Sequence, residues 1–172
     1  VTPNRIDELE ALQSPPAALL LTPEGYANLQ EELEHLTMVK RAEIAERLRD
    51  SKQHGEFSED NHELDEVKFD QALVENRIAD LKTIFASAQV LDPAAISTEV
   101  AGIGAWVTVR NEDRGTEFEV RLVASIEADP DLDMISVESP MGQAILGKRQ
   151  GDVAVFVAPA GKIRLRIVNI RR

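Results

Sequence analysis

Between Leu64 and Ala88 the apolar positions recur at alternating spacings of three and four: Leu64, Val67, Gln71, Val74, Ile78, Leu81, Phe85 and Ala88. That is a heptad seam with one polar member, Gln71. The spacing predicts a helix that starts near Glu59 or Asp60, with Ser58 as a candidate cap, and runs for roughly 44 Å at about 1.5 Å per residue. A second long helix precedes it. Thr22-Pro23-Glu24-Gly25 is a helix start: Thr22 can cap, Pro23 suits the first helical position, and Glu24 complements the positive helix end. Tyr26, Leu29, Leu33 and Leu36 follow at helical spacing. The pattern blurs around Lys40 and resumes at Ile44 or Ala45 and Leu48, which predicts a stutter in the packing seam. From Tyr26 no proline or glycine intervenes until Gly55. A helix over 23–54 would be roughly 48 Å long. Two long helices joined by a few residues must run antiparallel. Periodicity alone therefore predicts a coiled-coil hairpin with residues 55–60 at its far tip.

At Pro93 the pattern changes to short runs rich in Val, Ile and Phe, punctuated by turns. Strands are predicted over 105–111, 116–125, 133–138, 153–158 and 162–170. Residues 111–115 and 159–161 read as hairpin turns, and 141–146 as one short helix. The expected fold class is α+β, with an N-terminal antiparallel coiled-coil hairpin and a small, mostly antiparallel β domain carrying one helix. The expected divisions are a loosely held extension over 1–20, the hairpin over 21–90, a linker over 91–104 and the β domain over 105–172. Pro15-Pro16 should end any helical turn begun at 7–12.

The net charge of -12 argues against nonspecific binding to nucleic acid by bulk electrostatics. Any nucleic-acid role must use a local basic patch or an intermediary protein. The absence of cysteine excludes disulfides, thiolate metal sites and cysteine nucleophiles. No stretch approaches the roughly 20 apolar residues of a membrane span, and the first residues, without a basic start followed by an apolar core, are not expected to act as a secretory signal. A cytoplasmic protein without a membrane partner is the expectation. His35, His54 and His62 share no metal-ligand spacing on one helix face, so no metal is assigned to them.

The tip reads Gly55-Glu56-Phe57-Ser58-Glu59-Asp60-Asn61. On charge alone, three carboxylates in five residues are what any helix start would favour. Phe57 and Gly55 add to that. An apolar residue stands where a solvated tip should have none, and glycine suits a sharp reversal. The combination suggests a tip built to enter another molecule. Clustered carboxylates suit a hard divalent ion such as Mg²⁺. Two or three alone would hold it weakly, so a partner protein would have to complete the site. A shared two-metal centre that activates water for phosphodiester hydrolysis meets that description.

With these motifs in order, the chain resembles the GreA/GreB family of bacterial transcript-cleavage factors, on the GreA side. Leu21-Thr22-Pro23-Glu24-Gly25-Tyr26, with Leu29 and Glu31-Glu32-Leu33, resembles the family's opening. His54 to Asn61, HGEFSEDN, resembles a tip usually of the form HGDLSEN. Residues 79–90 resemble the end of the second helix. Ser139-Pro140-Met141-Gly142, Ile145-Leu146-Gly147-Lys148, Gly151-Asp152-Val153 and Pro159-Ala160-Gly161 resemble the C-terminal signature. The resemblance covers roughly residues 20–172. It implies an FKBP-like C-terminal domain that docks at the rim of the RNA polymerase secondary channel. It also implies a coiled coil reaching the active centre, and two acidic tip residues that help hold a second Mg²⁺ and the attacking water. The polymerase, not the factor, would then cleave backtracked RNA. Among the basic residues near the tip, Lys52, one turn away, and Lys68 are the candidates to face the RNA 3′ segment.

 On local grounds Arg47, Arg49, Lys52 and Lys68 are all expected to pair within and between the helices with Glu43, Glu46, Asp50 and Asp65. Ser139, Pro140 and Gly147 read locally as a turn and a helix stop; the resemblance makes the same loop the polymerase-docking surface.

The tip departs from the family pattern. Glu56 stands where the family usually has Asp, and Glu59 where it has Glu. Asp60 either replaces the next Asn or is an insertion before Asn61. Leu64-Asp65-Glu66-Val67-Lys68 also differs from the usual Tyr-His-Ala-Ala. Which two of Glu56, Glu59 and Asp60 face the shared Mg²⁺ stays open at this point. So does the choice between a cleavage stimulator, a channel-binding inhibitor of the same shape and a coiled-coil adaptor or chaperone unrelated to polymerase. A stand-alone hydrolase lacks a visible nucleophile–base set. The expected partners are bacterial RNA polymerase and, through it, the nascent RNA 3′ end, met by a monomer.

Overall fold

The computed structural model describes residues 18–54 and 62–172. The expectations for residues 1–17 and for the tip, including Glu56, Phe57, Ser58, Glu59 and Asp60, lie outside the described residues. The chain divides into two compact units, Tyr26–Ser87 and Val1–Gly25 with Ala88–Arg172.

The helical unit is made by α1 (Pro23–His35) from Tyr26 onward, a π-helical stretch (Leu36–Lys40), α2 (Arg41–His54) and α3 (His62–Ser87), while Pro23–Gly25 at the start of α1 belong to the other unit. The π-stretch falls where the seam blurs in sequence. A π-turn inserts residues into the helical repeat and rotates everything after it. The inward positions are thereby re-phased from Leu29 to Ile44, both buried. The Thr37 hydroxyl donates to the Leu33 carbonyl at 2.8 Å, within the turn whose hydrogen bonds are displaced. Ion pairs join Glu32 to Arg77, Arg41 to Glu75 and Arg47 to Asp70. As numbers rise along α1 and α2 they fall along α3, so the two arms are antiparallel. Val67, Ile78 and Leu81 are the buried members of the α3 seam. Gln71 stays exposed and lines a cavity of about 140 Å³ with Ile44, Leu48 and Val74. Ala88, expected as the last seam residue, is instead the first residue of a strand.

That strand, β2 (Ala88–Val90), pairs in parallel with β1 (Leu19–Leu21), and both belong to the unit of Val1–Gly25 and Ala88–Arg172. Leu19 and Leu20 therefore do not belong to a loose extension. The apolar run Leu19-Leu20-Leu21 ends in a fully buried Leu21, and its backbone takes the chain leaving α3 as a partner.

The larger sheet has the order β5-β4-β3-β7-β6. Its strands are β3 (Trp106–Asn111), β4 (Glu117–Val123), β5 (Met134–Ser136), β6 (Val153–Ala158) and β7 (Gly161–Arg171). All five lie where alternation predicts them. The neighbours are antiparallel except β4 and β5, which pair in parallel. Strand β4 stops at Val123, short of its expected end at 125, because Ser125–Glu127 turns into a 3₁₀ helix. Val107, Val109, Val120, Leu122, Ala154, Leu165 and Ile167 point into one core. Register slips between Thr108 and Val109 against β7, where Asn169 and Ile167 are the successive partners. The extra residue, Val168, flips the alternation and lets Ile170 join Leu165 and Ile167 on the same face.

Helix α4 (Pro140–Ile145) closes this core with Ile145. The segment 91–104 is not a free linker. It carries the 3₁₀ turn Pro93–Ala95, places Ile96 and Ala101 in the core, and bridges Val100 to Arg149.

Candidate functional site

Lys52 lies in the last turn of α2 and Lys68 in the second turn of α3, on the two helix ends that residues 55–61 join in sequence. Both are exposed, and among the described residues neither makes an ion pair. Arg47 does not take the partners expected of it. It reaches across to Asp70 at 2.7 Å, and Glu43 pairs with Lys40. The interhelical partner wins because Asp70 is brought alongside by the antiparallel packing. Arg77, donating to Glu32, holds that carboxyl below its usual range, and Arg41 does the same to Glu75. These pairs brace the arms and leave Lys52 and Lys68 facing solvent.

The Ser139–Gly147 segment is built from capping chemistry. The Ser139 hydroxyl accepts from the Gly142 N–H at 3.0 Å and donates to the Ser136 carbonyl at 2.7 Å. Pro140 occupies the first helical position, where its missing N–H costs nothing. Gly142 packs against backbone: a Cβ there would lie 2.0 Å from the Ser136 oxygen. Gly147 follows the helix at φ 79°, which favours glycine, and its N–H bonds to the Ala101 carbonyl at 2.8 Å. Beside it Leu146 is 44% exposed, an apolar side chain left on the surface by the turn.

Sequence reasoning missed Glu127. It is buried at the first turn of α1, where both carboxylate oxygens accept from the Thr22 N–H, at 3.2 and 3.1 Å. The Thr22 hydroxyl also donates to Glu127 and accepts from the Gly25 N–H at 3.0 Å. The available signal was Gly25. Glycine inside a helix costs about 1 kcal/mol relative to alanine, so it marks a close approach.

Among the described residues no group of three His, Asp or Glu side chains could hold a metal ion, and no helix is long and apolar enough to cross a membrane. The family model described as transcription elongation factor, N-terminal, matches residues 19–90. The model described as transcription elongation factor, GreA/GreB, C-term, matches residues 96–172. The chain belongs to the GreA/GreB family.

The boundaries of the GreA/GreB N-terminal match coincide with β1 and β2: it begins at Leu19 and ends at Val90. The family's first segment thus includes the strand pair as well as the helices between. The chain is 46% identical over 154 residues to transcription elongation factor GreA of Thermoanaerobacter pseudethanolicus, covering 90% of this chain and 98% of that protein. It is 42% identical over 154 residues to the GreA of Acetivibrio thermocellus, covering 90% and 96%. Among solved structures, GreA factor homolog 1 of Thermus thermophilus aligns at 33% identity and a TM-score of 0.40, covering 90% of this chain and 99% of that one.

Proposed function

We propose that this GreA/GreB protein binds the secondary channel of bacterial RNA polymerase as a monomer and stimulates the polymerase's own cleavage of backtracked RNA. The observation that carries the reading is the acidic sequence Glu56-Phe57-Ser58-Glu59-Asp60, joining two antiparallel helical arms in a chain matched by both family models. The arms act as a coiled-coil finger. The FKBP-like sheet unit docks through Ser139, Pro140 and Gly147, with exposed Leu146 as its apolar contact. Lys52 and Lys68, free of ion pairs among the described residues, face the RNA 3′ segment.

The donor set Glu56, Glu59 and Asp60 offers hard oxygen ligands of the kind Mg²⁺ prefers, but too few for a closed site. Glu56 and Glu59 would hold the ion only with ligands from the polymerase. When bound there, Mg²⁺ lowers the pKa of a coordinated water. The factor by itself is then not a nuclease.

The test uses stalled, backtracked elongation complexes. Adding the protein should release short 3′ RNA fragments, and Glu56→Ala with Glu59→Ala should abolish the release. Intact cleavage by that double variant sinks the tip mechanism. The extra carboxylate Asp60 favours a second reading, a channel-binding inhibitor. Slower nucleotide addition with no RNA cleavage is its signature.

A further inference from the structure

The first turn of α1 is gripped by a carboxylate that cleavage chemistry does not use. Glu127 belongs to the 3₁₀ turn Ser125–Glu127 and is 8% exposed. It takes the Thr22 N–H on both oxygens and the Thr22 hydroxyl on Oε1. The same hydroxyl accepts from the Gly25 N–H, so one threonine links the buried charge to the open N–H groups of the helix start. Gly25 leaves the room: a Cβ there would lie 1.7 Å from Glu127 Oε1. A second hold comes from Arg121, 3.6 Å from the Glu24 carboxylate and stacked over Trp106 at 5.7 Å.

A helix cap needs only Thr22. Burying a carboxylate is unfavourable, and so is glycine in a helical turn. The two together make sense if this turn has to be held in place as well as capped. We propose that Glu127 is a positioning residue for transcript cleavage: through Thr22 it fixes the first turn of the helix that leads to the acidic tip. The proposal rests on the cleavage-factor reading above. Misplacement by about 1 Å can cost on the order of a hundredfold in rate, so loosening this turn should lower the rate of cleavage.

The experiment measures cleavage in backtracked complexes at several factor concentrations, for the unaltered protein and for Glu127→Ala, Glu127→Gln and Thr22→Val. Amide exchange at Thr22 and Gly25 is followed in the same proteins. Glu127→Ala should lower the rate at saturating factor by about tenfold or more and leave the half-saturating concentration in place, because the docking loop is untouched. Glu127→Gln should retain more, since its carbonyl still accepts from the Thr22 hydroxyl. Exchange at both amides should speed up. Thr22→Val removes only the hydroxyl link and keeps the question answerable if Glu127→Ala does not fold. Saturating rates equal to the unaltered protein's overturn the proposal, as does a loss confined to the half-saturating concentration. If the unaltered protein stimulates no cleavage, the cleavage-factor reading fails. The exchange rates then still decide whether Glu127 fixes the turn.

Discussion

The Ser139 hydroxyl makes two hydrogen bonds, and both close its own turn. Replacing a serine cap by alanine costs about 1 kcal/mol, so Ser139→Ala should lower the melting temperature of the sheet unit modestly. Gly142→Ala should cost more, about 1–3 kcal/mol, because the added Cβ meets the Ser136 carbonyl, a backbone atom that cannot swing aside. Thermal denaturation of the two variants ranks them. A Ser139→Ala protein as stable as the parent would mean that the cap contributes nothing. This turn was legible in sequence because each residue acts on near neighbours: serine before proline opens a helix and glycine after leucine ends it. Glu127 was not legible. Its partner Thr22 lies 105 residues earlier, and nothing in Ser125-Ile126-Glu127 says that its glutamate is buried.

Among the elements, the helices show the same contrast between local and distant causes. The blur at Lys40 was visible because re-phasing moves the apolar positions themselves, and the π-stretch is its backbone form. Ala88 keeps the seam spacing yet becomes strand, since Leu19–Leu21 offers it a parallel partner far away in sequence. Strand positions in the larger sheet followed alternation, whereas the parallel pairing of β4 with β5 depends on the turns between them. The ion pairs between the arms carry a pH prediction. Arg77 and Arg41 hold Glu32 and Glu75 below the ordinary value of 4.5. A carboxyl whose folded value is lowered adds stability above its unfolded value and loses it as pH falls through the folded one. The helical unit should therefore melt at lower temperature as pH drops below 4.5, followed by circular dichroism. The effect should be small, because the pairs are exposed and screened by salt. Glu32→Gln should flatten the acid limb; an unchanged limb would remove this pair from the account.

For the molecule as a whole, the proposed function assigns docking and chemistry to different places: a loop around α4, and a seven-residue tip. The two compact units keep these tasks on separate parts of the chain. A net charge of -12 makes nonspecific attachment to nucleic acid unfavourable, and the proposed function therefore rests binding on protein contacts. Docking should then survive loss of the tip carboxylates. Added in increasing amount to a reaction driven by the unaltered protein, the Glu56→Ala, Glu59→Ala double variant should suppress cleavage, reaching half-suppression when the two are present at similar concentration. The same double variant with Pro140→Asp in the proposed docking loop should compete poorly, because a charge replaces an apolar residue on the surface proposed to dock on the polymerase. If the double variant does not compete, the tip carries binding as well as chemistry, and the division of labour is wrong. If Pro140→Asp competes undiminished, docking lies elsewhere on the sheet unit, and exposed Val155 and Val157 on the edge strand β6 become the next residues to change.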